Sequence, residues 1–265
     1  MPSHRPDRAA ACISSQIGCA MGCDFCASTR GGLERNLTAR EIVEQFLLLR
    51  AEARATGRRL RTLVFMGMGE PMHNLDHVMS AIERIAHPDM GSLGWRQITV
   101  STVGIAPGID RLADSGLGVQ LALSLHAPDD ATRAMIVPSN RRYPIAQILA
   151  SARRYQQQTG RIVNIEYCLL SGINDSDEHA RALAELLRDF RAHVNLIPFN
   201  SIGSAGISGR VYVRPAPSRV AAFLQRLRDS GIVSHVRVTR GEDVSGACGQ
   251  LRAAALPGDL LAARS

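Results

Sequence analysis

The sequence predicts an α/β fold with helices packed on a parallel sheet of about six strands. Three observations predict it. Strand-like and helix-like segments alternate from end to end, the signature of βαβ units. Six or seven strand-like runs can be counted, the last of them depending on the stretch before Cys19, which is too few for a closed eight-stranded barrel. The length, 265 residues with 45% hydrophobic, suits one large domain or at most two, with a sizeable core.

In chain order, the first helix is expected from Ala39 to Ala55. Thr38 sits in cap position with Glu41 three residues on, a capping box. A short apolar strand, Thr62 to Met66, runs into glycines. A helix follows from Asp76 to Ala86, then strands Gln97 to Thr102 and Val119 to Leu125. Helix Ile145 to Gln157, strand Ile162 to Leu169, helix Asp177 to Arg188 and strand His193 to Ile197 continue the alternation. Helix Ser218 to Arg228 and strand Ser234 to Thr239 close it. The Gly/Ser/Ala-rich run Ser201 to Gly209 reads as a mobile loop. Residues 1–11 read as a short extension, 12–252 as the core and 253–265 as a flexible tail.

Composition narrows the setting. No stretch approaches the ~18 apolar residues of a membrane span, and no apolar signal core follows the charged N-terminus. A cytoplasmic, monomeric protein with reduced thiols is expected. The net charge of +7 and pI of about 9.6 suit a polyanionic partner. All 31 basic residues are arginine, spread along the chain, so charge alone argues only weakly for RNA.

In such sheets ligands sit at the carboxyl ends of the strands. Gly67-Met68-Gly69-Glu70-Pro71, Ser101-Thr102, Ser124-Leu125-His126 and Pro198-Phe199-Asn200 all follow strands and share that address. Singly, each polar residue there is more often a cap or loop residue than a ligand contact. Cys19, Cys23 and Cys26 form a C-x3-C-x2-C triplet with Phe25 before the last cysteine. Four-iron clusters normally take four thiolates, and three leave an open metal position, as reactive sites require. Zinc would call for a second Cys or His pair, and a disulfide framework for a secretory context.

The triplet resembles the signature of the radical S-adenosylmethionine (SAM) superfamily. That resemblance implies a partial, open (β/α) barrel, a four-iron, four-sulfur (4Fe-4S) cluster on Cys19, Cys23 and Cys26, and SAM chelated at the open iron. Gly67 to Pro71 resembles the motif that grips the amino group of SAM. Two further cysteines stand apart: Cys12, seven residues before Cys19, and Cys248 in the small-residue run Gly246-Ala247-Cys248-Gly249, a poor place for a packing cysteine. Cys168 lies mid-strand and reads as a small buried hydrophobe.

More specifically, Cys12 to Cys19, Arg35 to Thr38, Phe65 to Asn74, Ser124 to Pro128, Asn195 to Asn200, Thr239 to Gly241 and Cys248 to Leu251 resemble one family. Its members methylate C2 of adenosine in 23S ribosomal RNA and, in some cases, transfer RNA. The resemblance implies that Gly69, Glu70, Ser101, Ser124, Leu125, His126 and Asn200 contact SAM. It further implies that Cys248 carries the methyl group, that Cys12 resolves the intermediate through a disulfide, that two SAM molecules are used per turnover, and that flavodoxin or ferredoxin supplies the electron. The family carries a helical accessory domain and a glutamate upstream of the residue matching Cys12. Here eleven residues precede Cys12 and none is Glu, so a core without that domain is expected. The sister activity at C8 uses the same cysteines, and a non-catalytic iron–sulfur RNA-binding protein would need neither Cys12 nor Cys248.

Overall fold

The computed structural model describes residues 7–237. Seven strands form one sheet in the order β1 (Arg8–Cys12), β4 (Arg59–Phe65), β5 (Ile98–Thr102), β6 (Gln120–Ser124), β7 (Val163–Leu169), β8 (Ala192–Pro198), β9 (Ser234–Val236). Every neighbouring pair is parallel. Each strand pairs with the next along the chain, so the sheet winds in one direction into an open half-barrel. The count is seven rather than about six because β1, a run of alanines between arginine and Cys12, pairs with β4. Residues 8–11 therefore belong to the sheet, not to an extension.

One face of the sheet is apolar throughout. Leu63, Phe65, Ile98, Val100, Leu121 and Leu123 are all buried in a single core, and the alternation that puts them there turns their neighbours to the opposite, concave face. The helices cover the apolar side. They are α1 (Ala39–Ala55), α2 (Leu75–Ala86), α3 (Ala106–Asp114), α4 (Asp130–Ile136), α5 (Ile145–Thr159), α6 (Asp177–Leu186) and α7 (Pro217–Asp229). The capping box forms as expected: the Glu41 backbone N–H donates to Thr38 Oγ1 at 3.3 Å, and Thr38 N–H donates to the Glu41 carboxylate at 2.8 Å.

Two helices were not legible in advance. In α3, Pro107 and Gly108 occupy the first turn and mask its period. The single short α4 is opened by Asp129, whose side chain accepts from Thr132 N–H at 2.8 Å. Between β1 and α1 the antiparallel pair β2 (Gln16–Gly18) and β3 (Leu33–Asn36) brackets the cysteine loop. No helix among the described residues is long and apolar enough to cross a membrane.

Candidate functional site

The carboxyl ends of the strands enclose a cleft holding ≈ 980 Å³ of space, its open mouth included. Cys19, Cys23, Cys26, Gly69, Glu70, Ser101, Ser124, His126 and Asn200 all line it. Leu125 does not: its side chain lies in the core, its N–H donates to Glu166 O, and its carbonyl accepts from Arg133. Cys12 ends β1 on the concave side, exposed and outside the cleft wall. Cys248, Thr239 to Gly241 and the 253–265 tail lie outside the described residues.

The glycine turn after β4 is strapped to the segment after β1. Gly67 N–H donates to Ile13 O, Met68 N–H to Ser14 Oγ, and Ser15 and Gln16 N–H to Met68 O. At Gly69, φ is +101°, and a Cβ would stand 2.5 Å from that of Gln16, so only glycine fits. This turn aims Glu70 inward. Its N–H donates to Gln16 Oε1 at 2.8 Å, while its carboxylate accepts from Met72 N–H at 3.0 Å and Val103 N–H at 2.9 Å. Burial nevertheless outweighs those bonds and lifts its pKa to about 7.

The thiols line the same cleft, with Cys19 against the Gly69 backbone. Burial raises Cys19 to about 11 and Cys23 well above the ordinary range, and each is raised further by Cys26. Such thiols stay protonated unless a strong cation replaces the protons. Among the described residues no three His, Cys, Asp or Glu are grouped to hold a single metal ion. Three soft sulfur donors spread round one wall suit a cage that offers each thiolate its own iron.

His126 takes the left-handed conformation, φ 62°, uncommon for a residue with a Cβ. Asn174 over-determines it: Nδ2 donates to the carbonyls of His126 and Cys168, both at 2.7 Å, and Oδ1 accepts from Leu170 N–H. The imidazole Nδ1 accepts from Cys168 N–H at 3.0 Å, and the ring meets Phe25 edge-on with centroids 5.0 Å apart. Burial, then Arg133, drops its pKa to about 3, so it is neutral and its proton sits on Nε2.

Sequence reasoning missed four groups here, the first of them the Asn174 that holds His126. Arg133, fully buried, ties the ends of β5 and β6 together. Glu166 lines the cleft with Oε1 accepting from Asn195 at 2.9 Å, while its buried Oε2 has no hydrogen-bond donor and lies 3.9 Å from Arg237. Polar Asn164, Glu166 and Cys168 at alternate positions of an otherwise apolar strand were the available signal for Glu166. Nothing local marked Arg133.

The fourth is Asp24, inside the cysteine triplet. Its carboxylate accepts from Ser208 N–H at 2.7 Å, Ser208 Oγ at 2.5 Å and Tyr212 OH at 2.5 Å. Burial opposes ionisation, but these bonds win and hold its pKa below the usual range. Arg30 adds bonds to Ser204 and Ala205. The 201–209 run is thus clasped to the cysteine loop, contrary to the mobile loop its composition suggests. A Cβ on Gly206 would stand 2.4 Å from Asp24 O. Gly206→Ala is therefore expected to cost about 1–3 kcal/mol and to speed maleimide labelling of buried Cys23 in the ligand-free chain. Labelling at the wild-type rate would show that the clasp does not hold the loop.

Residues 13–184 match the radical SAM superfamily. Over 253 residues the chain is 57% identical to the probable dual-specificity RNA methyltransferase RlmN 1 of Opitutus terrae, spanning 96% of this chain and 71% of that protein. It is 49% identical to the probable dual-specificity RNA methyltransferase RlmN of Symbiobacterium thermophilum, spanning 91% of this chain and 64% of the relative. The crystal structure of a radical SAM methyltransferase from Sphaerobacter thermophilus superposes with a TM-score of 0.90 at 49% identity, covering 94% of this chain and 72% of that one.

Proposed function

The chain belongs to the radical SAM superfamily and, within it, to the RlmN-type RNA methyltransferases, and we propose that it methylates C2 of an adenosine in 23S ribosomal RNA, and in transfer RNA as a second substrate. Superfamily membership implies a 4Fe-4S cluster and SAM. One observation carries the reading: three cysteine thiols and a buried, cavity-facing Glu70 share a single cleft at the carboxyl ends of the strands.

Cys19, Cys23 and Cys26 would hold the cluster, which when bound supplies the electron that splits the sulfonium bond of SAM. The residues around it grip and orient. Glu70, its two oxygens already fixed by backbone N–H groups, offers remaining lone pairs to the ammonium of SAM. Ser101, Ser124, His126 and Asn200 line the same cleft, and their polar groups, the Nε2–H of His126 among them, would meet its carboxylate and ribose. Leu125 serves through its backbone, by fixing the end of β6.

Adenine C2 is an electron-poor carbon between two ring nitrogens and does not attack a methyl sulfonium. A thiolate does, so Cys248 takes the methyl from one SAM by displacement, releasing S-adenosylhomocysteine. Hydrogen removal from that S-methyl group would fall to the radical formed when a second SAM takes up one electron and releases methionine, and the resulting carbon radical would add to C2. Loss of the C2 proton and of the unpaired electron, which a one-electron acceptor such as the oxidised cluster would take back, would leave a closed-shell thioether. Attack of the Cys12 thiolate on the Cys248 sulfur then breaks the sulfur–methylene bond, the methylene takes up a proton as the methyl group, and the RNA leaves with a disulfide behind it. Cys12 faces the concave side at the rim of β1, which suits that step.

Nucleoside mass spectrometry of RNA from cells with and without the gene tests the reading. Loss of 2-methyladenosine is expected. Loss of 8-methyladenosine would reassign the chain to the sister activity, and no change in either would overturn the proposal.

A further inference from the structure

A second cleft opens at the opposite end of the sheet, between the C-terminal half of α1, the start of β4 and the 88–93 turn after α2. Its walls carry Arg50, Arg54, Arg59 and Arg61 against one carboxylate, Asp89. Arg50 and Arg54 are four apart on α1 and share a face, while Arg59 and Arg61 lie at a register shift in the β1–β4 pairing and both line the cleft beside them.

Arg50 is fixed, lying 5.1 Å over the Phe46 ring and donating to Gly91 O at 3.0 Å. Arg54, Arg59 and Arg61 are exposed, and among the described residues no carboxylate lies within ion-pair reach of them. Elsewhere on the surface Arg35, Arg40, Arg111 and Arg154 each pair with a carboxylate. The fold thus gathers like charges at one place and leaves them uncompensated, beside the buried apolar wall of Phe46 and Leu93. A multivalent anion offsets that repulsion, and guanidinium forks match phosphate oxygens.

Six steps along β4 separate Arg59 from Phe65, roughly 20 Å at 3.3 Å per residue, so this cleft stands well away from the thiol-lined one. Resting on the reading of RNA as substrate, we infer that it docks the sugar-phosphate backbone of that RNA at a distance from the nucleotide being modified. Such contacts carry no base information, but they position a remote reacting base.

The test uses the full chain with a 23S ribosomal RNA transcript, and binding measured between 50 and 200 mM salt. For the Arg59→Gln/Arg61→Gln double variant, the slope of log K against log salt should fall by about 1.5, at roughly 0.7–0.9 per phosphate contact. The KM for RNA should rise several-fold. Formation of 5′-deoxyadenosine without RNA should stay at the wild-type rate, which also shows that the variant folds. Arg40→Gln/Arg111→Gln, removing paired arginines, should leave the slope unchanged. A double variant with wild-type slope and KM overturns the inference alone. A wild-type chain with no salt-dependent RNA binding overturns the RNA reading and this inference with it.

Discussion

Replacing Arg133 by methionine is expected to destabilise the protein by about 3–5 kcal/mol, through the buried acceptors it leaves without donors. The guanidinium is fully buried, and burial lowers its pKa to about 10, a cost of about 3 kcal/mol at ~1.4 per unit. Against that stand four hydrogen bonds. Nε donates to Leu125 O at 2.8 Å, Nη1 to Asn140 Oδ1 at 2.8 Å, and Nη2 to Val103 O at 2.5 Å and Ser124 O at 3.1 Å. Bonds from a charged donor contribute about 1.5–3 kcal/mol each, so together they exceed the desolvation cost. Methionine would fill the space yet leave three carbonyls and one amide oxygen buried without donors. Those carbonyls end β5 and β6, where Ser124 and His126 face the cleft, and the same charge favours a thiolate at Cys23. Arg133→Lys, with donors at one point instead of a planar fork, should recover less than half of the loss. Urea unfolding measures all three chains. A methionine variant as stable as wild type would show that desolvation, not the bonds, dominates at this site.

That residue marks where sequence reading stopped. Elements whose signals are local were legible: Thr38 and Glu41 set the start of α1, and the glycines after β4 marked the turn that lines the cleft. The cleft residues were legible because strand ends in a parallel sheet share one address, which Gly69, Glu70, Ser101, Ser124, His126 and Asn200 all occupy. Arg133, Asn174 and Asp24 act instead across the fold, on partners such as Val103, His126 and Tyr212. An arginine on a seven-residue helix carries the same local pattern whether it faces water or three carbonyls. Leu125 shows the converse. Its place in a motif suggested contact with a ligand, while its atoms hold the strand end that presents Ser124 and His126.

Glu70 sets the second expected result: between pH 5 and 8 the ligand-free protein loses about 3 kcal/mol of stability through this one carboxyl. Only 2% exposed, it has a pKa raised by burial from 4.5 to about 7. A group shifted upward on folding contributes its stability below the unfolded value, and that stability is lost as pH rises through the folded value. The window is therefore about 4.5 to 7, and 2.5 units correspond to about 3 kcal/mol. Glu166, also shifted upward by burial, adds a slope of the same sign. Cys19 and Cys23 stay protonated throughout the window and add none. Glu70→Gln is neutral at every pH but has one acceptor oxygen for two N–H donors, Met72 and Val103, a loss of about 1 kcal/mol. The variant should thus be about 1 kcal/mol less stable than wild type at pH 5 and about 2 kcal/mol more stable at pH 8. Urea midpoints at the two pH values give the crossover directly, and parallel curves would mean that Glu70 is not protonated in the ligand-free fold. On the proposed role of Glu70, the same change should weaken SAM binding at pH 8 by roughly 10-fold or more, since the charge-assisted hydrogen bond proposed to the ammonium would be lost. A substitution that stabilises the empty fold while emptying the site of its ligand identifies the carboxylate as retained for binding: its unfavourable burial is relieved only when a cation arrives.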